Sequence, residues 1–217
     1  MTYYTGTELY LIDIGIGNMK SFTNMLFYTA IPFKKLSKPP SYAATGRKYI
    51  LIGNGAFDSY MKRLNDSGWS EFLRQAVRNE SNIMGICVGA QVLGLSSEEG
   101  REEGLGFLQM RTKSLNSLNI GSTRENLQLK VPNVGLQELR WRDNKTSINT
   151  RISSAYFSHS YFMHSNNPVQ TVCWALEPKT LSQIPAMVVD KNIIAVQFHP
   201  EKSNRNGIRF LSSLFKK

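Results

Sequence analysis

In the first half of the chain, apolar runs end in glycine and alternate with amphipathic stretches. Leu9-Tyr10-Leu11-Ile12-Asp13-Ile14 is apolar on both faces, and Gly15-Ile16-Gly17-Asn18 breaks it. Such a run suits a central parallel strand. Over residues 19–30, Met19, Phe22, Met25 and Leu26 recur near helical spacing. Tyr49-Ile50-Leu51-Ile52 reads as a second buried strand, stopped by Gly53-Asn54-Gly55. Trp69, Phe72, Leu73, Ala76 and Val77 form the stripe of an amphipathic helix, with Asp66 and Ser67 expected at its N-cap. Asn82-Ile83-Met84-Gly85-Ile86 returns to strand, and residues 88–95 read as helix.

From about Leu105 onward the period changes to two. Residues 106–115, 128–134, 155–163 and 171–176 read as half-buried strands, and 188–194 as a hairpin. The last apolar run, 193–198, leads into His199-Pro200-Glu201, and a closing helix carries Ile208, Leu211, Leu214 and Phe215. Strand–helix alternation followed by hairpins predicts an α/β fold: a mixed, mostly parallel central sheet flanked by helices. Residues 36–48 and 116–127 are polar loops, and neither divides the chain. We therefore expect one domain spanning 1–217.

The composition agrees with a single globular unit. The 217 residues are 41% hydrophobic and 19% charged. A chain of this size buries roughly 70% of its unfolded surface, enough for a core without disulfide or metal staples. No apolar run reaches the roughly 18 residues that span a bilayer, and the N-terminus lacks the basic-then-apolar layout of a secretory signal. With only Cys87 and Cys173, and no Cys/His cluster at zinc spacing, a cytoplasmic protein without metal or cofactor is expected. The charge sum, 26 − 16 = +10, raises nucleic acid as a partner. However, the basic residues are scattered and no RNA-binding or zinc module accompanies them, so neither nucleic acid nor membrane is expected.

Two motifs carry chemistry. Gly85-Ile86-Cys87-Val88-Gly89 places a nucleophile between glycines at ±2, after a strand and before a helix. A sharp strand-to-helix turn strains the central residue, and neighbours without Cβ avoid clashes. The free N–H groups of a helix start favour a thiolate, and the Val88 N–H can face an oxyanion. In His199-Pro200-Glu201, residues i and i+2 point to one side of a strand, so Glu201 can orient the His199 ring as a general base. Together these make a candidate triad of Cys87, His199 and Glu201. His164 and Cys173 match no motif and read as structural.

With Gln91 four residues after the cysteine and Val196-Gln197-Phe198-His199-Pro200-Glu201-Lys202-Ser203 near the end, the chain resembles the class I (triad) glutamine amidotransferases. Further segments resemble the HisH-type glutaminase subunits of imidazole glycerol phosphate synthase: residues 11–18, 53–57, 96–100 with 104–106, 130–135 and 156–161. The resemblance implies a flavodoxin-like fold and hydrolysis of L-glutamine to glutamate and ammonia. The ammonia passes to a (β/α)8-barrel synthase subunit, HisF-like. It also implies that Gly55, Gln91, His159, Ser160 and Tyr161 line the glutamine site, and that the Gly53–Gly55 backbone and Val88 N–H form or gate the oxyanion hole. On its own residues His159 also fits a satisfied core histidine.

Departures from the family pattern spare the triad. Ile52 stands where proline is usual, Asn54 where a small apolar residue is usual, and Asn133-Val134-Gly135-Leu136 where His-Met-Gly-Trp is usual. The elbow reads Val88-Gly89-Ala90-Gln91 in place of Leu-Gly-Met-Gln. These changes leave two alternatives to histidine biosynthesis. One is a paralogue supplying ammonia for amidino-sugar formation in surface polysaccharides; the other is a stand-alone γ-glutamyl hydrolase.

Overall fold

The computed structural model describes residues 8–119, 130–142, 151–176 and 183–215. The chain opens with β1 (Leu9–Ile12), α1 (Met19–Tyr28), β2 (Phe33–Leu36), β3 (Lys48–Gly53), α2 (Phe57–Asp66), α3 (Trp69–Arg78), β4 (Asn82–Cys87) and α4 (Val88–Gln91). It continues with β5 (Met110–Ser114), β6 (Asn133–Trp141), β7 (Ser154–His159), β8 (Tyr161–Ser165) and β9 (Thr171–Leu176), and closes with β10 (Gln183–Asp190), β11 (Ile193–Val196) and α5 (Asn204–Phe215).

Among the described residues, nine strands form one sheet in the order β2-β1-β3-β4-β11-β10-β9-β6-β7, and β5 pairs with β8 separately. From β2 to β11 the pairing is parallel; beyond β11 it is antiparallel. The parallel half has the doubly wound order 2-1-3-4-5, with β11 in the fifth place. Alternate residues of its strands feed two cores. Ile50, Ile52, Ile86 and Val196 pack with Phe22 and Leu26 of α1 and Phe210 and Leu211 of α5. Tyr49, Leu51, Ile83 and Ala195 pack with Tyr60 and Leu64 of α2 and Trp69 and Leu73 of α3. Burial on both faces explains why these strands read as continuous apolar runs.

Several expected elements differ from the observed ones. The expected helix over 88–95 stops at Gln91, because the chain turns under the loop that follows: Leu105 and Phe107 donate backbone N–H groups to Val92 and Leu93. Gly68, with φ 79°, caps α3, while Asp66 ends α2 and Ser67 follows it. The run 155–163 breaks at Ser160, so β7 joins the large sheet and β8 joins β5. The strand expected over 128–134 instead begins at Asn133 and runs to Trp141; residues 128 and 129 lie outside the described residues. Only Met110–Ser114 of 106–115 is strand. β2 and α2 are additional to the sequence reading, although Phe57, Tyr60, Met61 and Leu64 already show helical spacing. The expected hairpin is present, with Val189 opposite Ile194 and Asp190 opposite Ile193.

α5 lies close against the turn that carries His199 and Glu201. A Cβ on Gly207 would overlap the Pro200 carbonyl, which is backbone and cannot swing away. Gly207→Ala should therefore cost about 1–3 kcal/mol, read as a lowered urea midpoint with unchanged slope. An unchanged midpoint would show that the turn yields freely.

Candidate active site

β4 ends at Cys87, and α4 starts at the next residue. Cys87 adopts φ 55° and ψ −115°, a left-handed conformation that costs a non-glycine residue of order 1–3 kcal/mol. The surrounding backbone holds it there. A Cβ on Gly85 would overlap Gly89 and Ala90, one on Gly89 would overlap the Leu51 carbonyl, and one on Gly53 would overlap Val88 and the Gly89 nitrogen. The α4 backbone thus lies directly on β3 and β4. As the first helical residue, Val88 has an N–H without an intrahelical acceptor.

β11 runs parallel to β4, with Val196 opposite Ile86. Continuing that register brings Gln197 beside Cys87 and His199 just beyond. His199 Nδ1 lies 2.9 Å from Glu201 Oε1, with both side chains buried. Nδ1–H donates to the carboxylate, so Nε2 is the nitrogen that gains or releases the exchangeable proton. Ser203 Oγ donates to the His199 carbonyl at 2.6 Å and accepts from Tyr156 N–H at 2.9 Å. Burial opposes protonation of His199, but the Cys87 thiol and the Glu201 carboxylate outweigh it and raise its pKa to about 9. Nε2 has no partner at hydrogen-bond geometry, yet Cys87 is the first of the groups that favour the imidazolium. Such an arrangement suits a thiolate–imidazolium pair.

Residues 11–217 match the model of the class I glutamine amidotransferase family. The chain belongs to that family. The amidotransferase is 35% identical over 205 residues to the imidazole glycerol phosphate synthase subunit HisH of Leptospira interrogans, covering 93% of this chain and 96% of that protein. It is 32% identical over 210 residues to subunit HisH 2 of Methanococcus maripaludis, covering 95% and 98%. Among solved structures, PurLQS from Thermotoga maritima superposes with a TM-score of 0.68 at 15% identity, covering 97% of this chain and 98% of that one. At that identity the likeness concerns the fold.

In this amidotransferase a cavity of about 240 Å³ opens onto Cys87. Of the residues expected there, Gly55, Val88, Gln91, His159, Ser160 and Tyr161 line it. Gly53 does not; it is packed beneath Val88 and Gly89. His199 and Glu201 sit behind Cys87, not on the cavity wall. Asn54, Pro132 and Ser158 complete the lining together with Glu99, the one acidic residue there.

Sequence reasoning passed over Glu99. Its signal is faint, because its geometry depends on a loop folding back. Glu99 Oε2 accepts from Phe57 N–H at 2.9 Å, capping α2 in place of Ala56, whose side chain cannot. Asp58 in the same turn accepts from the N–H groups of Arg101 and Glu102. Gly100 has no Cβ because Asp58 fills that space.

Hydrogen bonds settle the states of Gln91 and His159. Gln91 Nε2 donates to the Tyr161 carbonyl at 2.9 Å and to Gln197 Oε1 at 3.3 Å. Both its amide protons are committed, leaving its carbonyl oxygen for a ligand. Gln137 Nε2 donates to Asn133 Oδ1 at 2.6 Å, so Asn133 Nδ2 donates to His159 Nε2 at 3.2 Å. His159 Nδ1–H then donates to the Tyr161 carbonyl at 2.9 Å. Both ring nitrogens are satisfied within the protein, so His159 presents its ring to the cavity with no free donor or acceptor.

Among the described residues, no cluster of three or more His, Cys, Asp or Glu side chains is placed to hold a metal ion. No described helix is long and apolar enough to cross a membrane. Two of the basic residues lie at the far end of the sheet from the site. Lys34 and Arg47 converge on Glu8 at 2.6 Å each, at the N-terminal ends of β1, β2 and β3, whereas Cys87 sits at the C-terminal end of the parallel strand β4.

Burial, aided by the nearby His199, depresses the pKa of His159 to about 4 despite its bond to Tyr161. An unfolded histidine protonates near 6.5, so between 6.5 and 4 the unfolded chain binds the extra proton. This group should therefore cost no stability above pH 6.5, and stability should fall as pH drops through that window. Urea unfolding at several pH values should show the slope, and His159→Gln should flatten it. An equal slope in the variant would assign the loss to other groups.

Proposed function

We propose that this chain, acting as one domain over 1–217, hydrolyses L-glutamine to glutamate and ammonia at Cys87. The reading rests on one observation above all. A strained cysteine at the floor of a small cavity adjoins a buried histidine whose far nitrogen is held by a carboxylate. The Cys87 sulfur attacks the side-chain carboxamide carbon of glutamine, and the carbonyl electrons move to oxygen. The Val88 N–H, with the Gly53–Gly55 backbone, faces that oxyanion. His199 protonates the departing nitrogen, and ammonia leaves a γ-glutamyl thioester on Cys87. His199 then takes a proton from water, which attacks the thioester, releasing glutamate and restoring the thiol. Glu201 holds the imidazole in the tautomer that presents Nε2 to the sulfur. At the other end of the substrate, Glu99 and the Gln91 carbonyl oxygen suit the α-ammonium group, an anion and an acceptor facing a cation.

The released ammonia passes to a synthase subunit. Relatives named as subunits of imidazole glycerol phosphate synthase, matched over nearly their whole length, support a HisF-like (β/α)8-barrel partner in the cytoplasm and a role in histidine biosynthesis. Val134 and Leu136 on β6 are 57% and 56% exposed and lie beside Pro132 and Ser158 of the cavity rim. An apolar pair there suits a docked partner. The departures from the family pattern at Val134 and Leu136 fall on this face and bear on which barrel docks, while Asn133 is buried against His159; the triad residues are unchanged.

Cys87→Ala should abolish glutamine-dependent activity of the complex while the synthase still works with added ammonia. Loss of both would mean the division of labour is wrong. His199→Ala should lower turnover by about 10²–10⁴, and Glu201→Gln by less, since the base remains. A Glu201→Gln loss equal to that of His199→Ala would remove the orienting role.

Glu99→Gln keeps the cap on α2 but removes the charge facing the substrate ammonium. It should raise KM for glutamine about tenfold with kcat little changed, the pattern of lost uniform binding. An unaltered KM would place the ammonium elsewhere.

A further inference from the structure

Gln197 belongs to no role assigned so far, yet it is fully buried and its side chain reaches Cys87. It follows β11, its N–H donates to the Ala186 carbonyl at 2.9 Å, and it shares one face of the extended strand with His199. Its Oε1 accepts from Met163 N–H at 3.2 Å and from Gln91 Nε2 at 3.3 Å. Two donors on the oxygen fix the carboxamide's orientation, because the alternative would face N–H against N–H. Nε2 is therefore directed at Cys87 Sγ, 4.0 Å away. That separation is long for a neutral thiol and shortens naturally once the sulfur carries charge.

We propose that Gln197 is a positioning residue that donates an N–H to the Cys87 thiolate, supporting the sulfur from the β11 side while His199 serves as its acid and base. The same carboxamide ties the nucleophile to the substrate wall. Its oxygen holds Gln91 and the Met163 N–H in the middle of β8, and Gln91 in turn holds the Tyr161 carbonyl on which His159 also rests. Sulfur, glutamine-binding wall and β8 thus share one buried amide. The other titratable groups facing this site are His199 with Glu201 behind it, Glu99 across the cavity, and His159 and Tyr161 on its wall. Among the described residues, Gln197 Nε2 is the side-chain donor directed at the sulfur.

The proposal rests on Cys87 as the reactive group, and the test separates the two. Iodoacetamide alkylation of Cys87, followed across pH by peptide mass spectrometry with buried Cys173 as internal control, reads the thiolate without requiring glutamine. Gln197→Glu preserves size and the acceptor oxygen but turns the donor into an acceptor. Gln197→Met removes both. In each variant the alkylation midpoint should move up by at least about one unit, and glutamine turnover at neutral pH should fall about tenfold or more. Gln197→Asn shortens the side chain by one methylene and should recover only part of the loss. If the Gln197 variants do not fold, the unaltered protein decides. The side-chain amide resonances of Gln197 should shift as Cys87 is titrated or alkylated, and that pH response should vanish in Cys87→Ala. A midpoint unmoved in a folded variant, or amide resonances indifferent to Cys87, would overturn the donor role. Glutamine turnover that survives Cys87→Ala would overturn the reading of the site instead, whatever the midpoint does.

Discussion

The approach of the α4 backbone to β3 and β4 is the constraint from which the site follows. Gly53, Gly85 and Gly89 lie where any Cβ would strike main chain. Their absence of side chains lets the chain turn from β4 into α4 within one peptide. The left-handed conformation of Cys87 is the geometric consequence, and it lifts the sulfur out of the sheet toward the cavity. Strain of order 1–3 kcal/mol is tolerable here because the two apolar cores on either side of the sheet hold both partners of the contact rigidly. Gly53 therefore serves two ends. It packs the elbow, and it ends β3 opposite Cys87, so the segment leading to Asn54 and Gly55 starts level with the sulfur.

The second half of the site comes from far along the chain but meets the first through sheet register alone. β11 enters the sheet beside β4, and everything after Val196 is read out in order along that edge: Gln197 beside the sulfur, Phe198 into the core, His199 beside the sulfur again. Phe198 stacks edge-on against Phe157 and Phe210, pinning the strand between its two polar neighbours. The turn through Pro200 is then held from both sides, by Ser203 bonding to the His199 carbonyl and by α5 packed on the Pro200 carbonyl through Gly207. Orientation of a base this deep in the protein is thus a matter of backbone support as much as of the Glu201 carboxylate.

What the sequence displays follows from how local each signal is. The elbow is legible because its glycines and cysteine fall within five residues, and the His-Pro-Glu pair because strand alternation needs only three. The parallel strands are legible because burial on both faces leaves unbroken apolar runs. Glu99 is not legible in the same way. Its place depends on Asp58 and Phe57 N–H drawing a distant loop onto α2, and nothing in Ser96–Gly100 alone reveals that. Gln197 sits inside a recognisable motif, yet its orientation depends on Met163 and Gln91, neither adjacent to it in the chain. The break at Ser160 is hidden for a related reason. Alternation continues through it, but the polar chain from Gln137 through Asn133 to His159 and Tyr161 turns the two halves into different sheets.

The two buried histidines show how one cavity maintains opposite protonation behaviour a short distance apart. His159 spends both nitrogens on neutral partners, an amide donor and a carbonyl acceptor, so burial dominates and the ring stays neutral down to about pH 4. His199 suffers the same desolvation, but its partners are the Glu201 carboxylate and the Cys87 thiol, and its pKa rises to about 9. Each state reinforces the other. A charged His199 penalises charge on His159, and a neutral His159 leaves the imidazolium to the Cys87–His199–Glu201 cluster behind the cavity wall. Proton transfer is thereby confined to the ring paired with the nucleophile's charge, while the ring on the cavity wall serves as packing. Divergent environments for two like groups are how a single small site separates its acid–base machinery from its binding surface.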